Sequence, residues 1–166
     1  MPELSRAVAL GLGNILNRDE GLGVHCLDHL RRRLGPVEGL DVLDGGVLGM
    51  DLLPLVERAD SLLIFDAVDA RKPPGTIIEL AGPDIPLYSQ VKLSGHQVTF
   101  QEVLHLARVR NHLPRRLHLV GVQPADMAIG LELSPVVEAA LPAAADRGIR
   151  ILADWGILSG RGAEST

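Results

Sequence analysis

Cysteine is almost absent from this sequence. The only one, Cys26, leaves no intramolecular disulfide and no thiolate-rich zinc site. It is expected to be a small core side chain, without the partnered base a thiol nucleophile needs. Aromatic residues are also scarce, at 2% of 166 residues, so leucine, valine, isoleucine and alanine must fill the core. No apolar run is long enough to span a bilayer. The longest, such as SLLIFDAV at 61–68, have the length of buried strands. The opening MPELSRAVAL carries Glu3 and then a very short apolar run, and is expected to be neither a signal peptide nor a membrane span. Clustered positive charge is missing too. The net charge is −5, and only Arg31, Arg32 and Arg33 stand together. A nucleic-acid surface would need grouped cations to replace phosphate counterions. A cytoplasmic protein with no membrane insertion and no nucleic-acid partner is the expectation.

What is present is apolar and alternating. Hydrophobic residues make up 46% of the chain, and its length suits one domain, 1–166, with a full core. Strands are predicted at 6–12, at GLDVLDGG, at SLLIFDAV, at TIIELA and at RLHLVGVQ. Between them a helix is predicted from Gly21 to Leu34, with Leu22, Cys26, Leu30 and Leu34 on one face. MDLLPLVERA should form a short helix, bent or started at Pro54. A long irregular loop, GPDIPLYSQVKLSG at 82–95, leads to a helix expected over His96–Val109. The last helix should open with Ser134 as N-cap and Pro135 in the first turn, and run past Gly148. Residues 159–166 are polar and expected to fray. The fold class that follows is α/β, a single mostly parallel twisted sheet of about five strands with helices on both faces.

Ligands of such sheets bind beyond the carboxyl ends of the strands, where the chain switches faces. The stretch GLGNILNRDEGLG at 11–23 lies there. Gly11 and Gly13 fit the start of a dinucleotide turn, but Leu16 stands where the third glycine belongs, and Asp19 and Glu20 would repel a pyrophosphate. A nucleotide is therefore not expected. Glu20 and Asp66 follow what would be neighbouring strands, and His96 follows the returning loop. Two carboxylates and one imidazole suit a borderline divalent transition metal with positions left open. On the residues alone, it stays open that Glu20 caps a helix, Asp66 ends a strand in water and His96 is a surface residue. Asp44, in DGG, could support the site or simply form a turn. His25 and His29 lie four apart but lack the HExxH pattern, and are expected on a solvated helix face.

The ordered set GLGNILNRDEGLGVHCLDHL, VLDGGVLGMDLLPLV, LLIFDAV, PPGTI, GHQ and LVGVQP resembles the hydrogenase maturation proteases, from about Ala7 to Val137. These endopeptidases trim the C-terminus of the precursor of the nickel–iron hydrogenase large subunit. The resemblance implies that Glu20, Asp66 and His96 bind metal and carry the reaction. It also implies nickel as the ion, supplied by the substrate, with zinc or cadmium able to occupy the same ligands. Other readings within reach are a non-catalytic, metal-sensing chaperone for the same precursor, or another peptidase on this scaffold.

Overall fold

Short apolar runs bounded by glycine and proline turns become the five strands of one sheet: β1 Ala7–Leu12, β2 Leu40–Gly46, β3 Ser61–Ala67, β4 Ile77–Ala81 and β5 Arg116–Val122. The computed structural model describes residues 6–82, 85 and 99–159. The spatial order is β2-β1-β3-β5-β4. The first four in that order run parallel, and β4 pairs antiparallel with β5 at one edge. β1 and β3 are buried at every position, as continuous apolar runs require of strands covered on both faces.

Four helices supply that cover: α1 Leu22–Leu34, α2 Leu53–Arg58, α3 Phe100–Val109 and α4 Pro135–Asp154. Alternation along β3 divides the core. Leu63 and Phe65 face Leu27 and Leu30 of α1 and Leu141 and Leu152 of α4. Leu62 and Ile64 face Val56 of α2 and Val103 and Leu104 of α3. Each fully buried leucine or phenylalanine contributes about 1.5–3 kcal/mol. The helix predicted over 21–34 forms nearly as expected, preceded by a 3-10 turn at Arg18–Gly21. Helix α4 passes Gly148, where a Cβ would come within 2.5 Å of the Phe65 ring. The missing side chain lets the helix lie against the sheet.

Two boundaries differ from expectation, and one expected cap is made differently. The helix predicted over MDLLPLVERA splits into a 3-10 turn, Gly49–Leu52, followed by α2, with Pro54 in its first turn. Helix α3 starts at Phe100 rather than His96, because Thr99 and Glu102 close a capping box. The Glu102 N–H donates to Thr99 Oγ1 at 3.3 Å, and the Thr99 N–H donates to Glu102 Oε2 at 2.7 Å. Ser134 is the N-cap of α4, but its side chain makes no cap hydrogen bond. Most of the predicted loop at 82–95, His96 itself, and residues 160–166 lie outside the described residues. Ser159 is held by a 2.6 Å hydrogen bond from its hydroxyl to the Gly156 carbonyl. No helix among the described residues is long and apolar enough to cross a membrane.

The ends of α3 fix its direction. Its C-terminal side reaches the amino edge of the sheet, where Arg110 and His112 meet Glu57 at 3.1 and 2.7 Å. Its capped start at Thr99 therefore faces the carboxyl edge, where the candidate acids are.

Candidate active site

The strand order puts the switch of faces between β1 and β3. The chain leaving β1 turns into α1 on one face, and Asp66 near the end of β3 shares the parity of Leu62 and Ile64, on the face of α2 and α3. The glycines of the turn after β1 are needed for close packing. Gly13 has φ +116°, and a Cβ on it would sit 1.8 Å from the Glu20 carbonyl oxygen. A Cβ on Gly23 would lie 2.3 Å from the Phe65 carbonyl oxygen and 2.5 Å from that of Leu12. The turn thus folds upon its own backbone and seats the start of α1 directly on β1 and β3.

The acidic pair in this turn separates into two roles. Asp19 is fully buried and accepts four hydrogen bonds: from the Ser134 N–H and hydroxyl at 2.7 Å each, and from the N–H groups of Ala125 and Asp126 at 2.9 Å each. Burial alone would push its pKa up. The hydrogen bonds from the Ser134 hydroxyl and from the backbone of Asp126, Ser134 and Ala125 outweigh that and hold it below the ordinary aspartate value. This explains why Ser134 does not cap its own helix. Around Asp19, Arg18 pairs with Asp126 at 2.8 Å, and the Gly130 N–H donates to the Leu16 carbonyl at 2.8 Å. The turn after β1 and the loop after β5 are clasped together.

Glu20 is equally hidden, at 2% exposure, but is much less satisfied. Burial pushes its pKa up, opposed only by the hydrogen bond that the Asn14 N–H donates to its Oε2. Asp66 is also 2% exposed, and its Oδ1 accepts the Ala67 N–H at 2.9 Å. Both predicted carboxylates therefore lie at the carboxyl edge of adjacent strands. His96, the third, lies outside the described residues, although the described chain resumes three residues later at the same edge. Among the described residues, no three His, Cys, Asp or Glu side chains form a metal-binding group.

Asp44 lies near the end of β2 opposite Gly11, and its Oδ1 accepts the Gly46 N–H at 2.8 Å, so it shapes the turn that follows. Asp69 takes a comparable part after β3. Its Oδ1 accepts the Arg71 N–H at 3.1 Å and the Gln123 amide at 3.2 Å. The Gln123 Oε1 in turn accepts the N–H groups of Ala70 and Lys72, at 2.8 and 3.3 Å. Gln123, in the VQP stretch, and Asp19 are supports of the site that residue spacing did not single out. A polar residue directly after a buried strand was the available signal for Gln123.

His25 and His29 do not form the solvated face expected of them. Both are half-buried, and His25 Nε2 is shielded from water without a hydrogen-bond partner among the described residues. The spacing on α1 turns His25 toward the flank covered by the loop before α4, where the two line a cavity of about 550 Å³ with Arg18 and Glu138. Cys26 is core as expected, its thiol pushed up to about 12 by burial.

A model of the hydrogenase maturation protease family (HycI) matches residues 24–151. The chain belongs to that family. The hydrogenase expression/formation protein HupD of Rhodobacter capsulatus is 37% identical over 160 residues, 95% of this chain and 76% of that protein. The hydrogenase 2 maturation protease of Escherichia coli is 35% identical over 153 residues, 92% of this chain and 93% of that one. Among solved structures, the hydrogenase maturating endopeptidase HybD from E. coli superposes with a TM-score of 0.84 at 35% identity, covering 91% of this chain and 94% of that one. The likeness thus continues beyond Val137 into α4, further than the motifs alone indicated. As a hydrogenase maturation protease, the chain is a peptidase.

Proposed function

We propose that this hydrogenase maturation protease makes a single cut in the precursor of the nickel–iron hydrogenase large subunit and releases a C-terminal peptide. Nickel already seated in the precursor is part of the substrate. Glu20, Asp66 and His96 grip it through its open coordination positions. The observation that carries this reading is the state of Glu20: a carboxylate buried at the switch point with one backbone donor among the described residues, where burial has raised its pKa. An acid kept underpaired in that place is disposed to bind a cation or to exchange a proton, the two duties the reaction requires.

The protein's own groups supply the rest. The Asp19 clasp and the Asn14 N–H fix the turn that presents Glu20. Gln123 and Asp69 fix the loop beside Asp66, and Asp44 shapes the far rim from β2. An oxygen- and nitrogen-donor set without thiolate suits transient possession of nickel, cadmium or zinc. The compartment belongs to the same proposal: the cytoplasm, where a lone reduced cysteine is at home. The test is mass spectrometry of nickel-loaded precursor after incubation with the purified chain. One defined C-terminal loss, absent with Glu20→Gln, is expected. Efficient cutting of metal-free precursor in chelator would remove nickel from the mechanism and leave the peptidase.

A further inference from the structure

The surface of the carboxyl edge is unlike the rest of the molecule. Apart from Leu43 in the middle of β2 and Val109, the exposed large apolar side chains among the described residues gather at that end of the sheet. The most prominent are Leu16 after β1, Val47 and Leu48 after β2, and Ile129 and Leu131 after β5, with Ile129 90% exposed. Scattered apolar residues are ordinary on a protein surface, but a group confined to one rim marks an interaction site. The three loops are also joined. The Gly13 N–H donates to the Gly46 carbonyl at 2.9 Å, which ties the turn after β1 to the end of β2. A bridge pairs Asn17 with Gly130, and Asp19 fastens the loop after β5 from beneath. The apolar residues therefore stand on a prearranged collar, which lowers the ordering cost of binding.

Among the described residues, the unpaired charge on the collar is acidic. Asp44, Asp51, Glu132 and Glu138 make no ion pair among the described residues, whereas the guanidinium of Arg18 is matched by Asp126 at 2.8 Å. Arg71 and Lys72 lie beyond it, toward β4. A second copy of the chain seated here would place acids against acids. It would also cover the crevice of Glu20 and Asp66, which in a peptidase must admit a polypeptide.

We propose that this collar docks the precursor protein through a segment that is apolar and carries basic side chains, next to the bond to be cut. The proposal rests on the substrate reading given above. It is tested with Ile129→Asp, Leu131→Asp and Val47→Asp, all at exposed positions, with Val109→Asp as control at an exposed apolar site elsewhere. The collar variants should each lower kcat/KM on nickel-loaded precursor tenfold or more, through KM, with kcat within twofold and melting temperature unchanged. Glu132→Lys should act in the same direction, and Val109→Asp should behave as wild type. Cleavage by the collar variants at the wild-type KM, or an equal loss in Val109→Asp, would overturn the docking surface. A fall in kcat alone would do the same. Binding of precursor to Glu20→Gln, with and without Ile129→Asp, is measured by calorimetry in parallel. Should the wild-type chain fail to cut any precursor, the substrate reading falls on its own. The tenfold difference in precursor affinity between those two variants then still decides the collar.

Discussion

Asp19 and Glu20 are adjacent in sequence and equally hidden from water, yet their surroundings differ sharply. Asp19 is met by four donors from a loop more than a hundred residues on in sequence and titrates below its ordinary value. Glu20 is met, among the described residues, by one donor from its own turn and titrates above its ordinary value. Desolvation acts on both, so the number of donors decides the sign. The fully satisfied acid is a rivet between two loops. The underpaired one retains the capacity to act on something that arrives later.

The largest effect expected from breaking this contrast is on catalysis. Glu20→Gln should reduce processing of nickel-loaded precursor by about 10²–10⁴-fold, the usual range for removing an acid–base group. It should leave the melting temperature equal or higher, because glutamine can still accept from Asn14 while a buried charge is gone. Asp66→Asn and His96→Ala should show comparable losses in the same mass-spectrometric assay. Normal cutting by any one of them removes that residue from the site.

Asp19→Ala should do the reverse. Stripping the acceptor from three backbone N–H groups and a hydroxyl should cost about 3–5 kcal/mol, since each buried donor left unpaired costs about 1–3 kcal/mol and some relax toward water. Urea unfolding measures it. A loss below about 1 kcal/mol would show that the clasp is not holding the loop after β5.

Acid titration sharpens the same contrast with a smaller effect. The lowered pKa of Asp19 gives stability that is present above its unfolded value, about 3.9, and lost as pH falls through the folded value. The raised pKa of Glu20 works the other way. Its contribution is present below its unfolded value, about 4.3, and lost as pH rises through the folded one. Asp19→Ala should therefore flatten the acid limb of the stability curve, and Glu20→Gln should gain on wild type only above about pH 4.3. Unfolding free energies between pH 3 and 7 check both. Least affected should be Asp44→Asn, which keeps the Oδ1 acceptor for Gly46. A loss of less than tenfold in cutting rate is expected, and a larger one would promote Asp44 from shaping a turn to serving the site directly.

Much of this was legible in the chain. Continuous apolar runs such as LLIF in β3 announce strands covered on both faces, and the alternation with helices implies the switch point where Glu20 and Asp66 now stand. The start of α3 was legible as well, since Thr99 and Glu102 spell a capping box three residues beyond His96. The separation of Asp19 from Glu20 was not legible. It depends on Ala125, Asp126 and Ser134, more than a hundred residues away, and no local pattern shows which of two neighbouring acids will find donors from a distant loop. His25 escaped for a similar reason, because the chain that covers it comes from the segment before α4.

The burial of Cys26 has a practical consequence. In the function proposed above, nickel sits in the precursor, and a free thiolate on the processing enzyme would compete for so soft an ion. This chain carries a single thiol and keeps it 1% exposed and protonated far above neutral pH. On that reading, its own thiol does not compete for the ion. For the same reason, alkylating reagents added to the folded protease should spare Cys26, so any thiol labelled in a mixture with the precursor reports on the precursor.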